Sequence, residues 1–290
     1  MKTKYFAFAA LATMLASCSN DEDFVPQDNL KDTPITVTAG VAALTTRAGH
    51  DNNNLPETFY ISIDQTGSNY DYTNVKMTKN SSTNAYESET PLLWAGGTET
   101  LTVTAATYPL DGASLAVETD QSTEDNLKAS DHLYYYNEEV TPSENGISVE
   151  FSHIMSKVML TIKLGDEFNE SNNPITGVTF CGTKASIADD AAVADITPLA
   201  GAYTVPTTDA PNATAEYEVI LMPQTVAADG FTVQFNVGER VFAWTSPNAV
   251  TLEKGIQYTL ELTAGKDIVS SATFSSSAWG AGTGNTVETE

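Results

Sequence analysis

The sequence predicts an all-β protein built as two antiparallel β-sandwich domains. Three observations carry this prediction. Apolar and polar residues alternate with a period of two through many short runs. Turn signals rich in Gly, Pro and Asn separate those runs at regular intervals. No apolar stripe of helical period persists for three turns. Many short strands at even spacing are the pattern of sandwiches.

The elements follow in chain order. Lys2 and Lys4 precede an apolar run from Tyr5 to Leu15, which closes on Leu15-Ala16-Ser17-Cys18. The run is short for a bilayer span and has the flanks of an export signal, so residues 1–17 read as a signal peptide. Residues 19–33 are polar, lack periodicity and read as a linker. Ile35, Val37, Ala39, Val41 and Ala43 then alternate with Thr36, Thr38, Gly40 and Ala42, which predicts a strand. That strand leads into Thr45-Thr46-Arg47-Ala48-Gly49, a run of small and polar residues holding one of only two arginines. Such a run favours an accessible loop, where proteolysis concentrates.

From Leu55 the body begins. Strands are expected over Phe59–Ile63, over Asn74–Thr78 and Ala85–Ser88 as a hairpin, over Thr98–Thr107 and over Leu133–Tyr136. Ser114 to Ala129 reads as a loop or a short helix. Ile147 to Leu164 is a long, nearly unbroken extended pattern. Further strands are expected at Ile175–Cys181, Ala202–Val205, Ala215–Met222, Phe231–Val237, Arg240–Trp244, Gln257–Thr263 and Val269–Phe274. The domain boundary falls near Ser143–Glu150, which divides the body into residues 48–147 and 148–290.

Composition narrows the function. There are 38 acidic against 13 basic residues, a formal charge of -25. Four basic and five acidic residues lie up to Arg47, so the part from Ala48 onward carries -24. No basic patch is present, which argues against nucleic acid as a partner. No second segment approaches transmembrane length. His50, His132 and His153 form no metal-ligand spacing, and neither a nucleophile elbow nor a phosphate-binding glycine loop is present. The carboxylates at Asp120, Glu124 and Asp125, and at Asp189 and Asp190, lack calcium-loop spacing. The expectation is therefore a non-enzyme with no metal and no cofactor. Cys181, following Ile175, Val178 and Phe180, reads as a small buried residue at a strand end. In Tyr134-Tyr135-Tyr136 the first and third side chains share one strand face, so one side of the triplet is expected to be core.

Several phrases resemble known sorting and family signatures. Leu15-Ala16-Ser17-Cys18 resembles a bacterial lipobox, which implies that Cys18 is acylated and heads the mature chain. Ser19-Asn20-Asp21-Glu22-Asp23 is similar to the acidic tag of lipoproteins sent to the outer face of the outer membrane. Phe151-Ser152-His153-Ile154-Met155-Ser156-Lys157-Val158 resembles a signature of the fimbrillin family, the Mfa-like pilus subunits of Gram-negative anaerobes. Trp94 with Gly96-Gly97 and Ala106-Thr107-Tyr108-Pro109, then Val219 to Pro223-Gln224, then Leu252 through Gly255 to Tyr258, and finally Ala278-Trp279-Gly280 resemble further family phrases in the same order.

The resemblance spans the chain. It implies a transthyretin-like topology for both sandwiches and a lipid-anchored, surface-exposed precursor in the outer membrane. It also implies an arginine-specific protease that cuts between Arg47 and Ala48. Residues 18–47 would then be a lipidated propeptide whose strand, from Ile35 to Thr45, is removable. A strand of another fimbrial subunit would fill the groove it leaves, in a fimbrium that serves cell adhesion. The alternative is a surface glycan-binding lipoprotein or adhesive tip subunit with a host or glycan ligand. The tail Gly280–Glu290, polar and Gly-rich with Val287 its one large apolar residue, sits poorly with a donor-strand role and favours the tip.

Overall fold

The alternation at Ile35–Val41 becomes strand β1 (Val37–Val41), and β1 closes a barrel. The computed structural model describes residues 29–279 apart from 43–48, 66–68, 113–114, 167, 169–173, 189–190, 205–211 and 266–268. Within it, β2 (Thr58–Asp64), β3 (Tyr72–Lys79), β4 (Tyr86–Glu87), β5 (Leu101–Ala106), β6 (Leu133–Val140) and β7 (Ile147–His153) join β1 in the order β1-β4-β3-β2-β5-β6-β7. The barrel interior is the inward set of each alternation: Phe59, Ile61 and Ile63 of β2, Leu101, Val103 and Ala105 of β5, and Ile147, Val149 and Phe151 of β7.

Two further sheets pack over a second core. One has the order β10-β9-β14-β15, from Val193–Ile196, Ile175–Lys184, Thr232–Val237 and Arg240–Thr245. The other has the order β11-β12-β8-β17-β18, from Leu199–Thr204, Thr214–Leu221, Ser156–Leu164, Ile256–Ala264 and Val269–Ala278. A ribbon of β13 (Gln224–Val226) and β16 (Val250–Leu252) flanks them. The core between the sheets holds Val158, Leu160 and Ile162 of β8, Val233 and Phe235 of β14, and Leu260 and Leu262 of β17. No helix among the described residues is long and apolar enough to cross a membrane.

The all-β expectation holds. Three details differ from the sequence reading. The N-terminal unit is a closed barrel, not a sandwich, because β1 inserts parallel to β7 and meets β4 on its other side. The C-terminal unit is not wholly antiparallel: β8 and β17 run parallel from Ile256↔Ser156 to Ala264↔Leu164. Side-chain alternation has the same period in both pairing senses, so it does not distinguish them.

The third difference concerns the extended run 147–164, which breaks at Ile154-Met155. β7 stays in the barrel and β8 enters the second core, so the change of sheet falls after His153 and not before Ile147. The connection between β5 and β6 also crosses over. It carries α1 (Glu124–Ser130), capped by Thr123, whose hydroxyl accepts the Asn126 amide at 3.3 Å. Leu127 of α1 and Val117 are buried in the second core. Gln121, fully buried, accepts the Ile220 amide at 2.8 Å and donates to the Ile220 carbonyl at 2.7 Å, tying this connection to β12.

Candidate functional site

Two regions gather the residues the sequence singled out: the slot of β1 and the junction between the barrel and the second core. In the slot, β1 pairs with β7 over five residues, from Val37↔Ile147 to Val41↔Phe151, and with β4 only at Val37↔Tyr86. Ile35, Val37 and Val41 are buried and Ala39 is half-buried against the same core. Ala43, Arg47, Ala48 and Cys18 lie outside the described residues. The slot is lined by rings: Phe59 sits 4.7 Å from Tyr86 and 5.2 Å from Phe151, centroid to centroid. Burial first, and the nearby Glu57 carboxylate second, push the Tyr86 phenol up to about 12. Its hydroxyl donates to the Pro56 carbonyl at 2.6 Å.

Backbone bonds hold the segment at both ends. The Ile147 amide donates to Thr36 at 2.8 Å, Ala42 donates to Phe151 at 2.8 Å, and Ile35 donates to Leu92 at 2.7 Å. Trp94, buried in the same core, exchanges backbone bonds of 3.0 Å with Asp32 and Thr33. Gly146 has φ +79°, and a Cβ there would lie 2.0 Å from the Thr36 carbonyl oxygen. Only glycine lets the chain approach β1 so closely. Asn52, beyond Arg47 in sequence, accepts the Val41 amide on its side-chain oxygen at 2.9 Å.

At the junction, the imidazole of His153 is fully buried and its Nδ1 lies 2.8 Å from Asp131 Oδ1. The other oxygen of Asp131 accepts the His50 amide at 2.7 Å. Trp279 stacks on His153, and the Lys157 ammonium lies 5.5 Å from the Trp279 ring centroid while paired with Glu218. Gly255, at φ +70°, donates to Met155 at 2.9 Å and accepts the Trp279 amide at 2.7 Å. Tyr258 accepts the Glu253 amide at 2.8 Å, and Gln224 clamps Lys184 by accepting its amide at 2.8 Å and donating to its carbonyl at 3.1 Å. Pro223 lies beside Met222 and Lys254 in a shallow surface cleft.

The family-motif residues thus do two jobs. Trp94 and Phe151 fill the barrel core. His153, Lys157, Gly255 and Trp279 meet at the junction, and Tyr258, Pro223 and Gln224 brace the strands beside it. Asp131, Glu218, Gln121 and Asn52 are partners that sequence reasoning missed. Each pairs with a residue at least 11 positions away, and no local spacing reports such a pairing.

His153 is sealed from solvent and Ser152 lies on the opposite, exposed face of β7. Among the described residues no group of three or more His, Cys, Asp or Glu could hold a metal ion. Asp120 is exposed and held below its usual range by hydrogen bonds from Ser122, while Glu124 sits 3.8 Å from Lys128. Cys181 is half-buried within β9 and not at its end, since that strand continues to Lys184. Burial first, and then a hydrogen bond with Asp195, push its thiol up to about 11. Of the three tyrosines, Tyr135 packs against the barrel core and Tyr136 is exposed.

The described chain is thus a closed barrel followed by a two-sheet unit, with His153, Lys157, Gly255 and Trp279 at the junction. A family model described as fimbrillin-like matches residues 35–279, and the chain belongs to that family. Among solved structures it is similar to a candidate cell adhesion protein from Bacteroides uniformis, with 17% identity and a TM-score of 0.56 over 85% of this chain and 98% of that one. It is similar also to another from Bacteroides ovatus, with 16% identity and a TM-score of 0.57 over 84% and 97%. At those identities the likeness concerns the fold. No curated protein matches the chain.

Proposed function

We propose that this chain is a non-catalytic fimbrial subunit, exported as a surface lipoprotein and made ready for assembly by cleavage between Arg47 and Ala48. Family membership supports a fimbrial or adhesin subunit at the cell surface. In this reading residues 1–17 are removed at Cys18, lipid on Cys18 holds the precursor to the outer membrane, and residues 18–47 leave with β1. The mature subunit would consist of the barrel, through His153, and the second unit, from Ser156 onward.

The observation that carries the reading is the placement of β1. It is the first described strand, it precedes an arginine in a run of small and polar residues, and it inserts its apolar side chains between β4 and β7. Its loss would uncover Phe59, Tyr86, Trp94 and Phe151 and leave β7 with unpaired backbone groups. Burying three apolar side chains contributes roughly 1.5–3 kcal/mol each. A groove so exposed favours capture of another strand, in which main-chain bonds give affinity and alternate side chains fill pockets.

The test is limited digestion of the chain from Ser19 to Glu290 with an arginine-specific protease, followed by intact mass and native oligomeric state. A cut after Arg47, loss of the β1 segment and a ladder of oligomers support the proposal. A cut that leaves stable monomers defeats strand exchange and points to an adhesive tip subunit with a host or glycan ligand. The polar tail from Gly280 onward favours that second reading.

A further inference from the structure

Tyr108 and Tyr134 from the barrel side, Met155 from the crossover, and Ile187 and Met222 from the second unit line an open cleft of about 360 Å³, with Lys254 at its rim. Its lining contains no carboxylate, although the chain has 38 acidic residues against 13 basic ones. Ile187 is 54% exposed there. The Lys254 side chain is solvent-exposed, and its ammonium pairs with no carboxylate among the described residues. An apolar floor with one unpaired cation at its edge suits a large apolar side chain beside an acidic one.

The same chain carries that chemistry next door. The Trp279 amide donates to the carbonyl of Gly255, the neighbour of Lys254 in sequence, at 2.7 Å, and the Gly255 amide donates to Met155 at 2.9 Å, so Trp279, the residue before the tail, is held at the cleft's edge. Residues 280–290 read Gly-Ala-Gly-Thr-Gly-Asn-Thr-Val-Glu-Thr-Glu. Val287 is the large apolar side chain, and Glu288 and Glu290 are the acids. Residues 280–286 span up to about 23 Å when extended, which reaches across a cleft of this size, and the three glycines permit the reversal. One buried valine and one ion pair make a weak site for a free peptide. A short flexible tether supplies an effective concentration in the millimolar range, which suffices.

We propose that this cleft is the docking site for residues 280–290 of the same chain, with Val287 on its apolar floor and Glu288 and Glu290 facing Lys254. The inference stands apart from the assembly reading. Where both hold, a docked tail is a tail withheld from neighbouring subunits.

Methionine methyl resonances of the full chain test it, because Met155 and Met222 line the cleft whereas Met77 lies in the barrel core. Val287→Asp and Lys254→Glu are both expected to shift Met155 and Met222 and leave Met77 unmoved. Adding Glu288→Lys and Glu290→Lys to Lys254→Glu should return them toward their original positions, independently of protein concentration. Unchanged Met155 and Met222 resonances in Val287→Asp would overturn the proposal, as would charge reversal that fails to restore them. Shifts that scale with protein concentration would overturn it too, by assigning the cleft to the tail of a second copy.

Discussion

The indole of Trp279 lies flat on the imidazole of His153, with 3.9 Å between ring centroids and 7° between ring planes. The last described residue of the chain is thereby stacked on the last residue of the barrel. Trp279→Ala removes this stack, the Lys157 contact and a buried indole. Chemical denaturation should show a loss of about 3–5 kcal/mol, with Trp279→Phe recovering part of it. A loss below about 1 kcal/mol would mean that the junction closes without this ring.

Asp131 accepts from the His50 amide and pairs with His153 in a site closed to water. Asp131→Ala leaves both groups without their acceptor, at a cost on the order of 3 kcal/mol. Hydrogen exchange should rise at His50 and across the start of β6, while β14 stays protected. Unchanged exchange at His50 would sink this account of how the segment after Arg47 is held.

Gly146→Ala places a methyl group against the Thr36 carbonyl. β1 should then loosen in its slot, and cleavage by an arginine-specific protease after Arg47 should quicken by tenfold or so, the equivalent of about 1.4 kcal/mol of local opening. Cleavage at the wild-type rate would show that β1 docks without the help of this glycine.

Tyr86 gives the barrel an alkaline limit. Its pKa is raised to about 12 in the folded protein, so the folded state keeps a proton that the unfolded state releases from pH ~10 upward. The stability this contributes is complete below pH ~10 and is lost as pH rises to about 12. Barrel unfolding followed against pH should steepen over that interval, and Tyr86→Phe should flatten it. An identical slope in both proteins would place the alkaline sensitivity elsewhere.

Cys181, raised to about 11 from an ordinary 9.0, holds about one-hundredth of the usual thiolate near neutral pH. Alkylation of the native chain by iodoacetamide should be about 100-fold slower at Cys181 than in the unfolded chain. Comparable rates would show an open, ordinary thiol.

Much of this fold is legible in the sequence where burial is one-sided. Phe59, Ile61 and Ile63 alternate because β2 has one wet face, and the hairpin around Asn80–Thr83 is marked by its own turn residues. The two- to four-residue strands are different. β10, β13 and β16 are too short to display a period, and they form because a neighbouring strand offers an edge. The break at Ile154-Met155 is hidden for another reason: both sides of it are extended and apolar, and only the three-dimensional partners differ. The motif phrases located the junction through His153, Lys157 and Trp279. They were silent on Asp131 and Glu218, because a buried charge is matched by a residue distant in sequence.

The parallel pairing of β1 with β7 gives its slot a direction. Parallel ladders carry evenly spaced, slanted hydrogen bonds, unlike the perpendicular pairs of an antiparallel ladder. A replacement strand that keeps the Val37↔Ile147 to Val41↔Phe151 register must run the same way as β1. Its flanking chain would then leave every barrel at the same end. A series of such exchanges would have one polarity throughout, and its two ends would be chemically different: one with an empty slot and the other with an unused strand. Under the proposed exchange, growth would be head-to-tail, and a copy that kept its own β1 would have no slot to offer and would end the chain.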